Sequence, residues 1–137
     1  MPDEGTPGTL RFESIVAQAP VALIVADRQG AIVAWNRASE VMFGYTAAEA
    51  LGQSLDLIIP EHLRAAHWAG FDKSLASGTT KYAGRVMTTR ATHKDGRKVY
   101  VDFSFELLKA ADGSVIGAIA VGREKPAAPK PAGSGAG

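Results

Sequence analysis

Most of the chemistry this chain has to offer sits in one short stretch, Arg64-Ala65-Ala66-His67. Apolar spacing predicts an amphipathic helix there, opening at Pro60. Leu63, His67 and Phe71 recur every four residues, so the imidazole shares a helical face with apolar neighbours. Burial disfavours the charged form, so such a histidine is held neutral, with a lone pair free to ligate a metal, haem iron included. The same pattern also fits a histidine that is only part of a core. His62 stands five residues from His67, off its face, so the two do not form a joint metal site. No Ser/His/Asp arrangement, phosphate-binding glycine loop or HExxH motif is present, and the acids are scattered singly. The expectation is a binding domain rather than an enzyme.

Composition narrows the classes further. The chain has 137 residues, 46% of them hydrophobic, enough for one domain with a small core. Its 15 basic and 14 acidic residues are interspersed, leaving a net charge of +1. Without a basic block, neither nucleic acid nor an anionic membrane is expected as a direct partner. The absence of cysteine excludes disulfides, thiolate metal sites, cysteinyl–flavin photochemistry and covalent haem attachment. The N-terminus lacks a secretory pattern and no apolar run is long enough to span a bilayer, so a cytoplasmic location is expected.

Three regions are expected: a disordered leader at 1–8, a folded domain at 9–124, and a disordered Pro/Ala/Gly tail at 125–137. In the folded part, residues 10–19 read as a short helix with Thr9 as its cap and Pro20 as its stop. Residues 21–26 and 31–35 read as strands around the turn Asp27-Arg28-Gln29-Gly30. Asn36 caps a helical segment closed by Gly44, and Thr46-Ala-Ala-Glu49 is a capping box closed by Gly52. The longest helix runs from Pro60, as its first helical residue, to Gly78. Residues 81–92, 98–108 and 114–122 then read as three strands joined at Asp95-Gly96 and Asp112-Gly113. Val101, Phe103, Phe105 and Leu107 alternate with polar residues, which gives that strand one buried face. Two strands, a helical insert and three antiparallel strands make an α+β domain, a five-stranded antiparallel sheet with helices packed across one face.

This order and its punctuation resemble the PAS family of sensor domains. The matching residues are Ala22-Leu-Ile-Val-Ala-Asp27, Gly30, Trp35-Asn36, Glu40, Phe43-Gly-Tyr45, Glu49, Gly52, Pro60, His93-Lys-Asp-Gly96 and the closing glycine-containing strand. The resemblance covers nearly all of residues 10–124 and implies the PAS fold and a regulatory role. Within the family, Pro60 followed by Arg64-Ala-Ala-His67 looks like the haem-binding subgroup of FixL-type and Dos-type oxygen sensors, where the histidine is the proximal ligand. The interval from His67 to Gly96 matches those sensors without a gap. The resemblance therefore implies haem b on His67. Haem-free members also carry a histidine here, in which case the cofactor is another small ligand or none.

On the distal side the pattern is exchanged. If residues 81–92 form one unbroken strand, Lys81, Ala83, Arg85, Met87 and Thr89 share a face. In the haem sensors two positions on that strand aim at the sixth coordination site, and they map onto Arg85 and Met87. The family's oxygen-binding arginine falls at Met87, and the Dos-type ligating methionine falls at Arg85. A guanidinium donates to bound oxygen, whereas a thioether ligates ferrous iron. Arg85 paired in solvent and Met87 in the core is the plainer alternative. Tyr82, Phe103 and Phe105 map to pocket-wall positions, and core packing also explains the two phenylalanines. Arg64, His62, Lys73 and Lys81 are candidate partners for haem propionates. Trp68, about 100° round the helix from His67, is expected to face away from the ligand, and Trp35 to be structural.

Two functions follow as expectations. One is a haem sensor of oxygen, carbon monoxide, nitric oxide or redox state. The other is a PAS module that takes another small ligand, or none, and works through protein contacts. Either version pairs as a homodimer through the N-terminal helix (Leu10, Ile15, Val16, Ala19) or the outer sheet face, and either passes its signal to a separate output protein or domain. The stripe on that helix could equally cap the domain's own core. The chain ends without the usual Asp-Ile-Thr-like signature and coiled coil, so it reads as a piece of a longer protein or a freestanding module.

Overall fold

Asp27 shapes the first turn, its Oδ1 accepting from the backbone N–H groups of Gln29 and Ala31 while Gly30 takes φ 80°. That positive φ is the region where a Cβ is penalised, so the turn needs glycine. The turn joins β1 (Ala22–Asp27) to β2 (Ile32–Trp35). The computed structural model describes residues 9–125. The leader expected at 1–8 lies outside the described residues, as does the tail expected at 125–137 apart from Lys125, whose N–H donates to Tyr100 O.

A short helix, α1 (Phe12–Gln18), precedes β1. Its N-cap is Arg11, with no side-chain cap, so the expected Thr9 cap does not form. After β2 come α2 (Arg37–Phe43), α3 (Ala47–Ala50), two 3-10 turns at Leu55–Leu57 and Glu61–Leu63, and α4 (Arg64–Ser77). The chain then returns through β3 (Val86–Thr92), β4 (Lys98–Lys109) and β5 (Val115–Glu124). All pairings are antiparallel, in the order β2-β1-β5-β4-β3. The two late hairpins turn at Asp95, which accepts from Arg97 N–H, and at Asp112, which accepts from Ser114 N–H. The α+β expectation, a five-stranded antiparallel sheet under helices, is the architecture found.

The core lies between the inner sheet face and the helical insert. Ala22, Ile24, Val99, Val101 and Phe103 meet Trp35, Met42, Phe43, Ala50 and Ile58. Phe43 stacks on Phe103 at 6.5 Å and lies 5.4 Å from Trp35, whose indole N–H donates to Tyr45 O. Trp35 is structural, as expected. Asn36 ties helix to sheet: its Oδ1 accepts from Ser39 N–H, Ser39 Oγ–H and Leu23 N–H, and its Nδ2 donates to Val21 O. At 3% exposure these bonds have no competing water, so one side chain fixes α2 against β1.

Two boundaries differ from expectation, and both bear on the site. Pro60 is extended (ψ 140°) and precedes a 3-10 turn, so the α-helix opens only at Arg64. The strand expected from Lys81 begins at Val86. Thr80 and Tyr82 carbonyls accept from Ala83 and Arg85 N–H in a turn that includes Gly84 at φ 72°. That left-handed glycine cannot sit in a continuous pleat, and β3 finds partners on β4 only from Val86↔Ser104 onward.

Candidate functional site

The helix α4 turns one face to the sheet. Ala66, His67, Gly70, Phe71 and Ser74, spaced three and four apart and continued by Leu63 from the turn before the helix, line a cavity of about 440 Å³ between helix and sheet. That volume falls within the range of about 300–1,000 Å³ typical of ligand and cofactor sites. The opposite wall is the inner sheet face, including Ile24, Met87, Thr89, Phe103, Phe105 and Ala120. Arg90 and Glu106, the charged residues at the wall, stand out of phase with the inward residues of their strands, and Arg90 Nε is buried with no hydrogen-bond partner.

His67 is the chemically distinctive group. Its Nδ1 is buried with no hydrogen-bond partner. Burial pushes the imidazole below its ordinary value of 6.5, with Asp56 opposing that shift more weakly. The ring is therefore neutral near pH 7. Phe71 stacks on it at 6.1 Å and Trp68 meets it edge-on at 4.6 Å. With Nδ1 sealed, Nε2 is the nitrogen left for a ligand. A buried polar atom without a partner costs free energy, and such exceptions concentrate where a protein has another use for the group.

The helix that carries His67 is held from outside the cavity. Trp68 is not at the cavity wall, as expected; its indole N–H donates to Asp56 Oδ1 at 2.7 Å. Its six-membered ring lies against Gly30, where any Cβ would overlap it. Arg64 donates from Nε to Ile59 O and from Nη2 to Asp56 O, at 3.0 and 3.2 Å. Arg64 thus closes the loop before α4 and is not at the cavity wall.

The other expected site residues separate into two groups. Tyr82, Met87, Phe103 and Phe105 line the cavity with His67. Tyr82 does so from the turn at 81–84, packed 6.2 Å from Phe105, with Lys81 Nζ 5.1 Å from its ring centroid. Arg85 does not line it: the turn at Gly84 leaves this residue exposed and ahead of β3. Of Arg85 and Met87, only Met87 reaches the cavity. His62, Lys73 and Lys81 are exposed and away from the wall. The structure adds Ala66, Gly70, Ser74 and Thr89, which sequence reasoning passed over. The spacing of 63, 66, 67, 70, 71 and 74 was the signal for the first three.

The α1 stripe does not cap the core. Leu10 and Phe12 are each 86% exposed, Ile15 is exposed, and no α1 residue is buried. Among the described residues no helix is long and apolar enough to cross a membrane, and no three His, Asp or Glu gather into a metal site.

Comparison with known proteins agrees with this architecture. A family model described as the PAS fold matches residues 10–125. An uncharacterized protein of Azorhizobium caulinodans is 40% identical over 76 residues, 55% of this chain and 10% of its own length. The oxygen sensor protein DosP of Escherichia coli is 25% identical over 104 residues, 76% of this chain and 13% of that protein. Sensor protein FixL of Bradyrhizobium diazoefficiens is 39% identical over 56 residues, 41% of this chain and 11% of that protein. The chain thus spans only 10% to 13% of the length of these relatives. Among solved structures, a PAS domain from Colwellia psychrerythraea superposes with a TM-score of 0.71 at 20% identity, covering 82% of this chain and 92% of that one. The PAS domain of an HTR-like protein from Haloarcula marismortui gives 0.65 at 21% identity, covering 84% and 89%. At that identity these two likenesses concern the fold alone. The match of the family model over the whole described sheet and helical insert decides the assignment: this chain belongs to the PAS family.

Proposed function

We propose that the cavity holds haem b, with His67 as the proximal ligand and Met87 on the distal side, and that the domain senses a diatomic gas or redox state. The observation that carries this is a neutral imidazole, its Nδ1 buried without a partner, in a largely apolar cavity of about 440 Å³. One imidazole holds a bare metal ion poorly, because stable ion sites gather several protein ligands. It suits a metal that brings its own in-plane ligands. Bound there, haem would supply reversible binding of oxygen, carbon monoxide or nitric oxide and one-electron redox chemistry.

The chain's own residues have definite tasks in this reading. His67 is held neutral through desolvation, so one ring nitrogen keeps a lone pair for a ligand. Its Nδ1 lacks the acceptor that usually makes a ligating histidine more basic, which makes it a weak electron donor. Met87 offers a soft thioether from the sheet. Phe71, Phe103, Phe105 and Ile24 exclude water. With Arg85 outside the cavity, the distal reading favoured is the Dos-type methionine over the FixL-type arginine. The similarity to DosP and FixL supports the assignment of a sensor and is too distant to carry the cofactor alone.

The output would travel as a shift between two conformations, through β3 and β4 or through α4, to a dimer mate and a separate output protein or domain. The exposed Phe12 and Ile15 of α1, with Leu10 just before it, favour pairing through that helix. They also support the second reading, a PAS interaction module in which the cavity takes another apolar ligand or none.

Titration with haemin, followed by absorption, separates the two. A Soret band saturating at one haem per chain, and lost in His67→Ala, is expected. Absence of uptake by the wild-type protein would refute the haem reading and leave the interaction module.

A further inference from the structure

We infer that Trp68 is a positioning residue for His67: its indole, together with the Phe71 ring, fixes the plane of the imidazole. At most ligating histidines a hydrogen bond from the second ring nitrogen performs that task. The inference rests on the haem reading and deepens it, by naming what holds the proximal ligand in one orientation.

A histidine ring turns easily about its last side-chain bond, because torsions between a tetrahedral and a planar carbon have broad wells. Something must stop that rotation if the ring is to present one nitrogen steadily to a ligand. Here Nδ1 is buried with no hydrogen-bond partner, so no bond at that atom can do it. Aromatic contacts stand in its place. Trp68 meets the imidazole at 4.6 Å between centroids with the planes 83° apart, and Phe71 lies at 6.1 Å and 26°. Trp68 and Phe71 also meet each other, at 5.2 Å and 81°. One neighbour is near-parallel to the imidazole and the other near-perpendicular, so the ring cannot turn without losing its packing on both.

Helical spacing brings the three rings together: Phe71 follows His67 by four residues and Trp68 by three, and such pairs are surface neighbours. The indole is itself held from outside α4. Its N–H donates to Asp56 Oδ1 at 2.7 Å, and its six-membered ring lies where a Cβ on Gly30 would stand. Asp56 is fixed in turn, its backbone N–H donating to Ser54 Oγ and its carbonyl accepting from Arg64 Nη2. Two segments outside the helix, the 3-10 turn at Leu55–Leu57 and the β1–β2 turn, therefore hold the indole still. A side chain free to move could not order the ring beside it; an indole bonded at its N–H and packed at its far end can.

The test compares Trp68→Phe with Trp68→Leu. Both lose the bond to Asp56 and loosen α4 alike, but only phenylalanine keeps a flat ring beside the imidazole. Motion of the His67 ring is read in the haem-free protein by carbon-13 relaxation at Cδ2, and haemin affinity is read by absorption titration. The ring should have an order parameter near about 0.85 in wild type and in Trp68→Phe, and below about 0.6 in Trp68→Leu. Haemin should bind about 10–100-fold more weakly to Trp68→Leu, the usual loss when a ligand's supporting partner is removed, with most of that loss recovered in Trp68→Phe. Equal ring order in the two variants would overturn the inference, because the aromatic ring would then make no difference. If Trp68→Leu does not fold, Phe71→Leu decides, since it leaves the Asp56 bond in place: a mobile imidazole supports the inference and a wild-type order parameter overturns it. Wild-type protein that takes up no haemin refutes the haem reading, and the haem-free relaxation still decides whether these rings fix the imidazole.

Discussion

Replacing Gly30 by alanine should destabilise the domain far more in the presence of Trp68 than in its absence. Two separate costs meet at this position. Holding an alanine at φ 80° costs about 1–2 kcal/mol. Its Cβ would also overlap the Trp68 ring, and overpacking of this kind costs about 1–3 kcal/mol. Displacing that ring strains the indole bond to Asp56 Oδ1. A bond to a charged group contributes about 1.5–3 kcal/mol, and the lower figure applies because the Asp56 side chain is 40% exposed. Gly30→Ala alone should therefore cost about 2–5 kcal/mol. In a Trp68→Ala background only the backbone cost of about 1–2 kcal/mol should remain. Urea unfolding of the four proteins, followed by circular dichroism, gives the coupling free energy directly, about 1–3 kcal/mol. Equal costs in both backgrounds would refute the claim that Trp68 latches α4, and with it His67, onto the β1–β2 turn.

Other outcomes follow from the same contacts. Asn36→Ala leaves Leu23 N–H, Val21 O and Ser39 without their buried partner, and should cost at least about 3 kcal/mol in chemical unfolding. A cost under 1 kcal/mol would contradict that bonding. Because burial lowers the His67 pKa, the unfolded chain takes up its proton at a higher pH than the native one. The resulting stability is complete above about pH 6.5 and is lost as the pH falls from there toward the native value. Wild type should lose stability on acidification relative to His67→Leu, and parallel curves would speak against a buried neutral imidazole. Met87→Leu conserves volume and should change haem-free stability by less than about 1.5 kcal/mol. In the haem-loaded, reduced protein it should remove the spectrum of a six-coordinate iron, and an unchanged spectrum would exclude the thioether.

Local chemistry made most of the fold legible. Asp-Gly pairs marked the two late hairpins, Asn36 and Thr46 capped the helices they were expected to cap, and period-two alternation picked out the inner face of β4. The cavity face of α4 was legible through Leu63, His67 and Phe71, because a helix puts every third and fourth residue together. The distal side was not, because its placement hung on one glycine. Read as an unbroken strand, residues 81–92 carry Arg85 inward with Met87; Gly84 in a left-handed turn ends that register and leaves Arg85 outside. A glycine inside a strand pattern is a known warning of such a break. Arg64 shows a different limit. Its value as a propionate partner depended on direction, and the backbone carbonyls of Asp56 and Ile59, brought close by the 3-10 turns, took its donors. The role of Trp68 was hidden for the same reason, since Asp56 and Gly30 meet it only through tertiary structure.

Chemical rescue at position 67 tests the central claim most directly. His67→Gly removes the imidazole and leaves its volume open, so free imidazole added to the haem-exposed variant can take the vacated place. The account predicts that this variant holds haemin only when imidazole is present, with the wild-type absorption spectrum restored as imidazole is titrated in. Haemin retained with a wild-type spectrum in the absence of imidazole would contradict it.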